Sequence, residues 1–74
     1  MEAATLTLGT RIRLARKAAG YSNPESFAVA LNVSASTMQR WETDKSEPTI
    51  SRLREIAALT ERPLQYFIGQ EVAA

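Results

Sequence analysis

The chain is 74 residues long, carries nine Lys and Arg against eight Asp and Glu, and contains neither Cys nor His. That length fits one small domain with a marginal core, which favours helices and tight turns over large sheets. The composition excludes disulfides and thiolate metal sites and removes the commonest general base and metal ligand, so no enzyme, metal or cofactor is expected.

No apolar run approaches the ~20 residues of a membrane span. The opening M-E-A-A-T-L-T lacks the basic and apolar regions of a signal peptide. A soluble cytoplasmic protein with no membrane partner is expected. The net charge of +1 says little about partners, but its distribution says more. Residues 1–40 hold Arg11, Arg13, Arg16, Lys17 and Arg40 against Glu2 and Glu25, a net +3. Residues 41–74 hold Lys45, Arg52, Arg54 and Arg62 against Glu42, Asp44, Glu47, Glu55, Glu61 and Glu71, a net −2. A small domain charged this way can turn a basic side toward phosphate. Arg11–Lys17 can equally be a solvated helix face.

Residues 1–6 read as a flexible N-terminal arm. No Lys or Arg precedes Arg11, so the arm is given no part in binding. The domain proper is expected over residues 7–69, with 70–74 as a short tail. Apolar spacing predicts a first helix over about 7–19, buried through Leu8, Ile12, Ala15 and Ala19. Arg11, Arg13 and Lys17 should stay largely outside, and Gly20 should stop the helix. Asn23 and Pro24 open a second helix, one as N-cap and the other at the first helical position, where a missing amide costs nothing. Phe27, Ala28 and Leu31 form its apolar face. Asn32 is the residue to take positive φ in the tight turn that follows. Val33 plugs the corner, and Ser34 caps a third helix. Two short helices joined so briefly form a helix-turn-helix.

The third helix, over 34–43, divides by angle. At about 100° per residue, Met38 and Trp41 share one side with Glu42 near them, and Ser36, Gln39, Arg40 and Thr43 gather opposite. The second face holds hydroxyls, an amide and a guanidinium, with no carboxylate. That suits base edges and phosphates, and it also suits an ordinary solvated face. Met38 and Trp41 read as core; a base-stacking role for Trp41 is disfavoured by its place beside Met38. Next, D-K-S-E-P is a charged loop closing on Pro48. Thr49 or Ser51 begins a fourth helix with Ile50, Leu53, Ile56 and Ala57 inward. Arg62-Pro63 interrupts it. A last short helix over 64–68 offers Leu64, Phe67 and Ile68 to the core, and Gly69 ends it.

The segments R-I-R-L-A-R-K-A-A-G, F-A-V-A-L-N-V-S, S-T-M-Q-R-W-E-T-D-K-S-E-P and I-A-A-L-T-E-R-P-L-Q-Y-F-I follow one another in this order. Together, over about residues 8–68, they resemble the lambda-repressor/Cro-type (XRE-like) helix-turn-helix family. The resemblance implies an all-α, compact five-helix lambda-repressor-like DNA-binding domain, with the helix-turn-helix formed by helices 2 and 3. It places helix 34–43 in the major groove of a double-stranded DNA operator, with Ala35, Ser36, Gln39 and Arg40 at base-reading positions. Arg40 can pair bidentately with guanine and Gln39 with adenine, each for about 1–3 kcal/mol of discrimination; Ala35 can touch only a thymine methyl. Thr37, Thr43 and Lys45 match phosphate-contacting positions, although Lys45 can also be a solubilising loop charge. Arg16 and Glu42 match the family's structural ion pair. The angular position of Glu42, where an unpaired carboxylate is costly, agrees with that.

There are departures. Pro24 stands where the family often has a Gln that contacts phosphate and braces the recognition helix. The Y-S-N-P loop is one residue longer than usual, so Ser22 or Asn23 must supply any phosphate contact there. Asp44 and Glu61 occupy common glycine positions, and Glu61 implies a different helix ending. Asp44 and Glu47 also put acid near the expected DNA side.

The function implied is sequence-specific transcription regulation by a repressor of phage or bacterial type. A domain this small reads a short half-site. Useful specificity then requires a homodimer on a palindromic site, with half-sites about one helical turn apart, or a longer repressor of which this chain is the DNA-binding part. No dimerisation element stands out beyond the tail and residues 64–68. The alternative is an antitoxin or other protein-interaction module that uses the same fold to bind a toxin, a second domain or another protein. Near-zero net charge and the acidic second half keep it open. An enzyme is disfavoured because the Asp, Glu, Ser and Lys residues are not spaced as a site.

Overall fold

The computed structural model describes residues 6–68. Apart from Leu6, the expected arm lies outside the described residues, as do Gly69 and the tail. Five helices follow in order: α1 (Leu8–Ala18), α2 (Pro24–Leu31), α3 (Ala35–Glu42), α4 (Ile50–Thr60) and α5 (Leu64–Ile68). No strand occurs among the described residues.

Helices this short need help at their ends, where the backbone groups have no partner within the helix. Four of them begin alike. Thr7, Asn23, Ser34 and Thr49 are extended N-caps whose side-chain oxygens accept from the amides of Thr10, Ser26, Thr37 and Arg52. Such a cap contributes about 1 kcal/mol. The same four also end alike. Gly20, Asn32, Asp44 and Glu61 take φ of 100°, 59°, 63° and 57°. The residue after each donates its amide back across the last turn: Tyr21 to Arg16, Val33 to Ala28, Lys45 to Arg40 and Arg62 to Ala57, at 2.9–3.1 Å. These are Schellman endings, and glycine serves only the first. Glu61 therefore adopts the left-handed ending that its side chain argued against. Left-handed geometry costs a side-chain-bearing residue about 1–2 kcal/mol, but here it satisfies carbonyls of the last turn and lets Pro63 follow.

The core is one cluster: Ile12, Ala15, Phe27, Ala28, Leu31, Met38, Trp41, Leu53, Ile56, Ala57 and Phe67. Tyr21 and Val33, each just past a helix end, pack against it. Helix α3 lies on α1 and α2; α4 and α5 pack on each other and on α1, and α4 also meets α2.

Three apolar side chains expected inside are exposed, and one cation expected largely outside is half-buried. Ala19 is exposed because α1 ends at Ala18 and Ala19 is already its cap. Ile50 and Ile68 are about half exposed, at 49% and 52%. Ile50 stands in the first turn of α4. In α5 it is Phe67 that fills the core, with Leu64 packed beside it. Arg11 is half-buried: its Nε donates to the Leu6 carbonyl at 3.2 Å and its Nη1 to the Tyr66 carbonyl at 3.1 Å, tying α1 to α5.

Candidate nucleic-acid interface

Helix α3 starts in a dense set of short bonds. Ser34 Oγ accepts from the Thr37 amide at 3.0 Å and donates to Thr37 Oγ1 at 2.9 Å, with Ser36 Oγ at 3.2 Å. From there the helix presents two faces. Met38 and Trp41 are 0% and 6% exposed, so Trp41 is core and not a stacking platform. Ala35, Ser36, Gln39 and Arg40 are all exposed. Among the described residues, the side chains hydrogen-bonded on α3's outer side are Ser34, Ser36, Thr37 and Thr43, which leaves the Gln39 amide and the Arg40 guanidinium free. Arg40 is also outside both ion pairs of the described residues.

The residues matched to phosphate contact differ in readiness. Lys45 and Ser22 are exposed, and Thr37 is half-buried. The Oδ1 of Asn23 is held by the Ser26 amide at 2.9 Å, but its side-chain amide can still donate. The Thr43 hydroxyl donates to the Gln39 carbonyl of its own helix at 2.8 Å and must turn outward to reach a phosphate. Ala35, Ser36, Gln39 and Arg40 thus share one helix face. Thr37 lies among them in the same helix, Lys45 follows α3, and Ser22 and Asn23 precede α2.

The far end of α3 is set by α1. Arg16 holds Glu42 with both arms of its guanidinium, Nε to Oε2 at 2.7 Å and Nη2 to Oε1 at 3.2 Å, while Nη1 donates to the Tyr21 carbonyl at 2.8 Å. The two side chains are only 3% and 6% exposed. A planar fork matched to a carboxylate is the arrangement in which a buried pair is least costly. It also means that one positive charge of the basic first half is cancelled by the acidic second half. With Arg11 tied to α5, Arg13 and Lys17 are the exposed cations of α1.

Two further residues complete this joint: Gly9, to which the sequence assigns no role, and Asp44, expected only as a residue in a glycine position and an acid near the DNA side. A Cβ on Gly9 would stand 2.6 Å from the carbonyl oxygens of both Trp41 and Glu42, so only glycine lets α1 start so close to the end of α3. The signal was a glycine inside a helical pattern, which costs about 1 kcal/mol against alanine unless packing requires it. The other is Asp44, whose Oδ1 accepts from the Gly9 amide at 2.9 Å. One oxygen of its carboxylate is thus bound at the positive end of α1. Elsewhere, Arg52 Nη1 donates to the Leu31 carbonyl at 2.8 Å and to Glu55 at 2.8 Å, so α4 satisfies the end of α2. A lone Arg on a helix face gave no sequence signal for that contact.

No helix among the described residues is long and apolar enough to cross a membrane. No curated protein matches the chain. A sequence model of the helix-turn-helix family matches residues 12–67, from the middle of α1 to the end of α5. With three-quarters of the chain covered, and with α2 and α3 joined by the Asn32 turn, the chain belongs to the lambda-repressor-type helix-turn-helix family of DNA-binding transcription regulators.

Proposed function

We propose that this protein is a sequence-specific repressor of phage or bacterial type that lays α3 in the major groove of an operator half-site. The outer face of α3 carries this reading: four exposed residues without a carboxylate, two of them with long polar side chains that have no partner among the described residues. Arg40 reads guanine and Gln39 reads adenine, while Ser36 and Ala35 contact or clear neighbouring base edges. Thr37, Lys45, Ser22 and Asn23 hold phosphates, with Thr43 joining them once its hydroxyl turns. A homodimer on a palindrome supplies the specificity that one half-site lacks.

The modest surface charge favours a second reading, an antitoxin or other module that binds a protein partner through the same fold. Salt separates the two. Phosphate contacts make log affinity fall linearly with log salt, by about 0.9 per contact on duplex DNA. Selecting bound duplexes from a random pool, then titrating the winner across salt, should give a short palindromic site and a slope of several units. A pool that stays unselected, or a flat salt response, sinks the repressor reading. Lys45→Ala should lower affinity for all duplexes alike and reduce the slope by about one.

A further inference from the structure

Asp44 does two things at once. It takes φ of 63° at the end of α3, where glycine is the freer residue. Its carboxylate also reaches the Gly9 amide, 35 positions away in the chain, at 2.9 Å. Glycine would serve the turn and lose the bond. On one side of this bond, Gly9 is pressed against the Trp41 and Glu42 carbonyls. On the other, the Asp44 amide donates to the Trp41 carbonyl, and the amides of Lys45 and Ser46 both donate to the Arg40 carbonyl. The carboxylate, the last turn of α3 and the backbone of Arg40 are thus one hydrogen-bonded unit seated on the start of α1. An anionic acceptor on a helix's first amides is a charge-assisted bond, stronger than an ordinary turn contact.

We infer that Asp44 is a positioning residue for base reading: its bond to Gly9 sets the angle of α3 on α1, and so where Arg40 and Gln39 stand over a base pair. This rests on the DNA-reading role proposed above. It places at the end of α3 a brace that Pro24, with no amide to donate, does not provide at the start of α2.

Two substitutions in the full chain test it. Asp44→Gly keeps the left-handed turn, which glycine favours, and deletes the bond. Asp44→Asn keeps an acceptor oxygen in the same place. One readout is the ratio of affinities for the selected duplex and for a duplex changed at the base pair read by Arg40. The other is the orientation of α3 relative to α1 in free protein, from residual dipolar couplings. Asp44→Gly should fold, lower the ratio about tenfold, as a misplaced bidentate contact does, and turn α3 on α1. Asp44→Asn should restore both. A fall in affinity for all duplexes alike, with the ratio and couplings of the parent protein, overturns the inference. If the parent protein shows no salt-dependent DNA affinity, the DNA-reading role fails by itself. The couplings then still decide whether Asp44 orients α3: a turned helix in Asp44→Gly supports that, and an unchanged one refutes it.

Discussion

The N-terminal end of α3 is fastened by its own neighbours in the chain. Asn32 makes the turn, Val33 fills the corner, and Ser34 caps the first amides, all within a few residues of the helix. The C-terminal end is fastened from α1, by Arg16 on Glu42 and by Gly9 on Asp44, contacts that span 26 and 35 positions. The first kind of support is local, repeatable and cheap to replace. The second requires that two distant helices already be in place, so its loss is felt by the whole domain. Helix α3 therefore enters from a locally made turn and is held at its far end by a tertiary joint.

The largest break of that contrast is Glu42→Ala. It strands a buried guanidinium that keeps only the Tyr21 carbonyl, and removing one partner of a buried pair costs about 3–5 kcal/mol. At roughly 4–8 °C per kcal/mol for a domain of this size, the thermal midpoint should fall by well over ten degrees. Gly9→Ala follows, at about 1–3 kcal/mol, because its Cβ must push backbone rather than a yielding side chain. A midpoint within a degree or so of the parent's would show that the α1–α3 joint is slack. At the local end, Ser34→Ala should cost only about 1 kcal/mol. Chemical denaturation would read it as a shifted midpoint with unchanged slope. A loss from Ser34→Ala equal to that from Glu42→Ala would erase the distinction between the two ends.

The smallest effect has the opposite sign. Glu61 closes α4 in the left-handed region, and among the described residues its side chain makes no long-range hydrogen bond like that of Asp44. Glu61→Gly should therefore stabilise by somewhat less than 1 kcal/mol, since relief of the strain is partly offset by glycine's extra freedom when unfolded. A destabilised Glu61→Gly would mean that the Glu61 side chain holds something in place.

The same contrast explains what could be read from the sequence. Capping and turn geometry depend on residues three to five apart, so Asn23, Pro24, Asn32 and Ser34 announced themselves through their own chemistry. The two faces of α3 followed from angle alone. The bond between Gly9 and Asp44 did not announce itself, because a glycine and a loop acid carry no mark of each other across 35 positions. Ile50 and Ile68 have the right spacing, but periodicity gives a side, not whether another helix extends far enough to cover it. Arg11 was misread because a long cation can lay its stem along the fold and spend its donors on backbone carbonyls. Glu61 was misread because weak intrinsic preference yields to the bonding of the whole helix end.

The most direct test of the central claim, that the outer face of α3 reads bases, is the duplex preference of Arg40→Ala beside that of the parent chain. The exposed guanidinium, with no side-chain partner among the described residues, should be removable without loss of fold. Preference should relax at one base pair of each half-site, with affinity for the selected duplex falling about five- to hundredfold, the equivalent of a lost bidentate contact. An Arg40→Ala protein that selects the same sequence with the same affinity would contradict the claim and place the reading surface elsewhere.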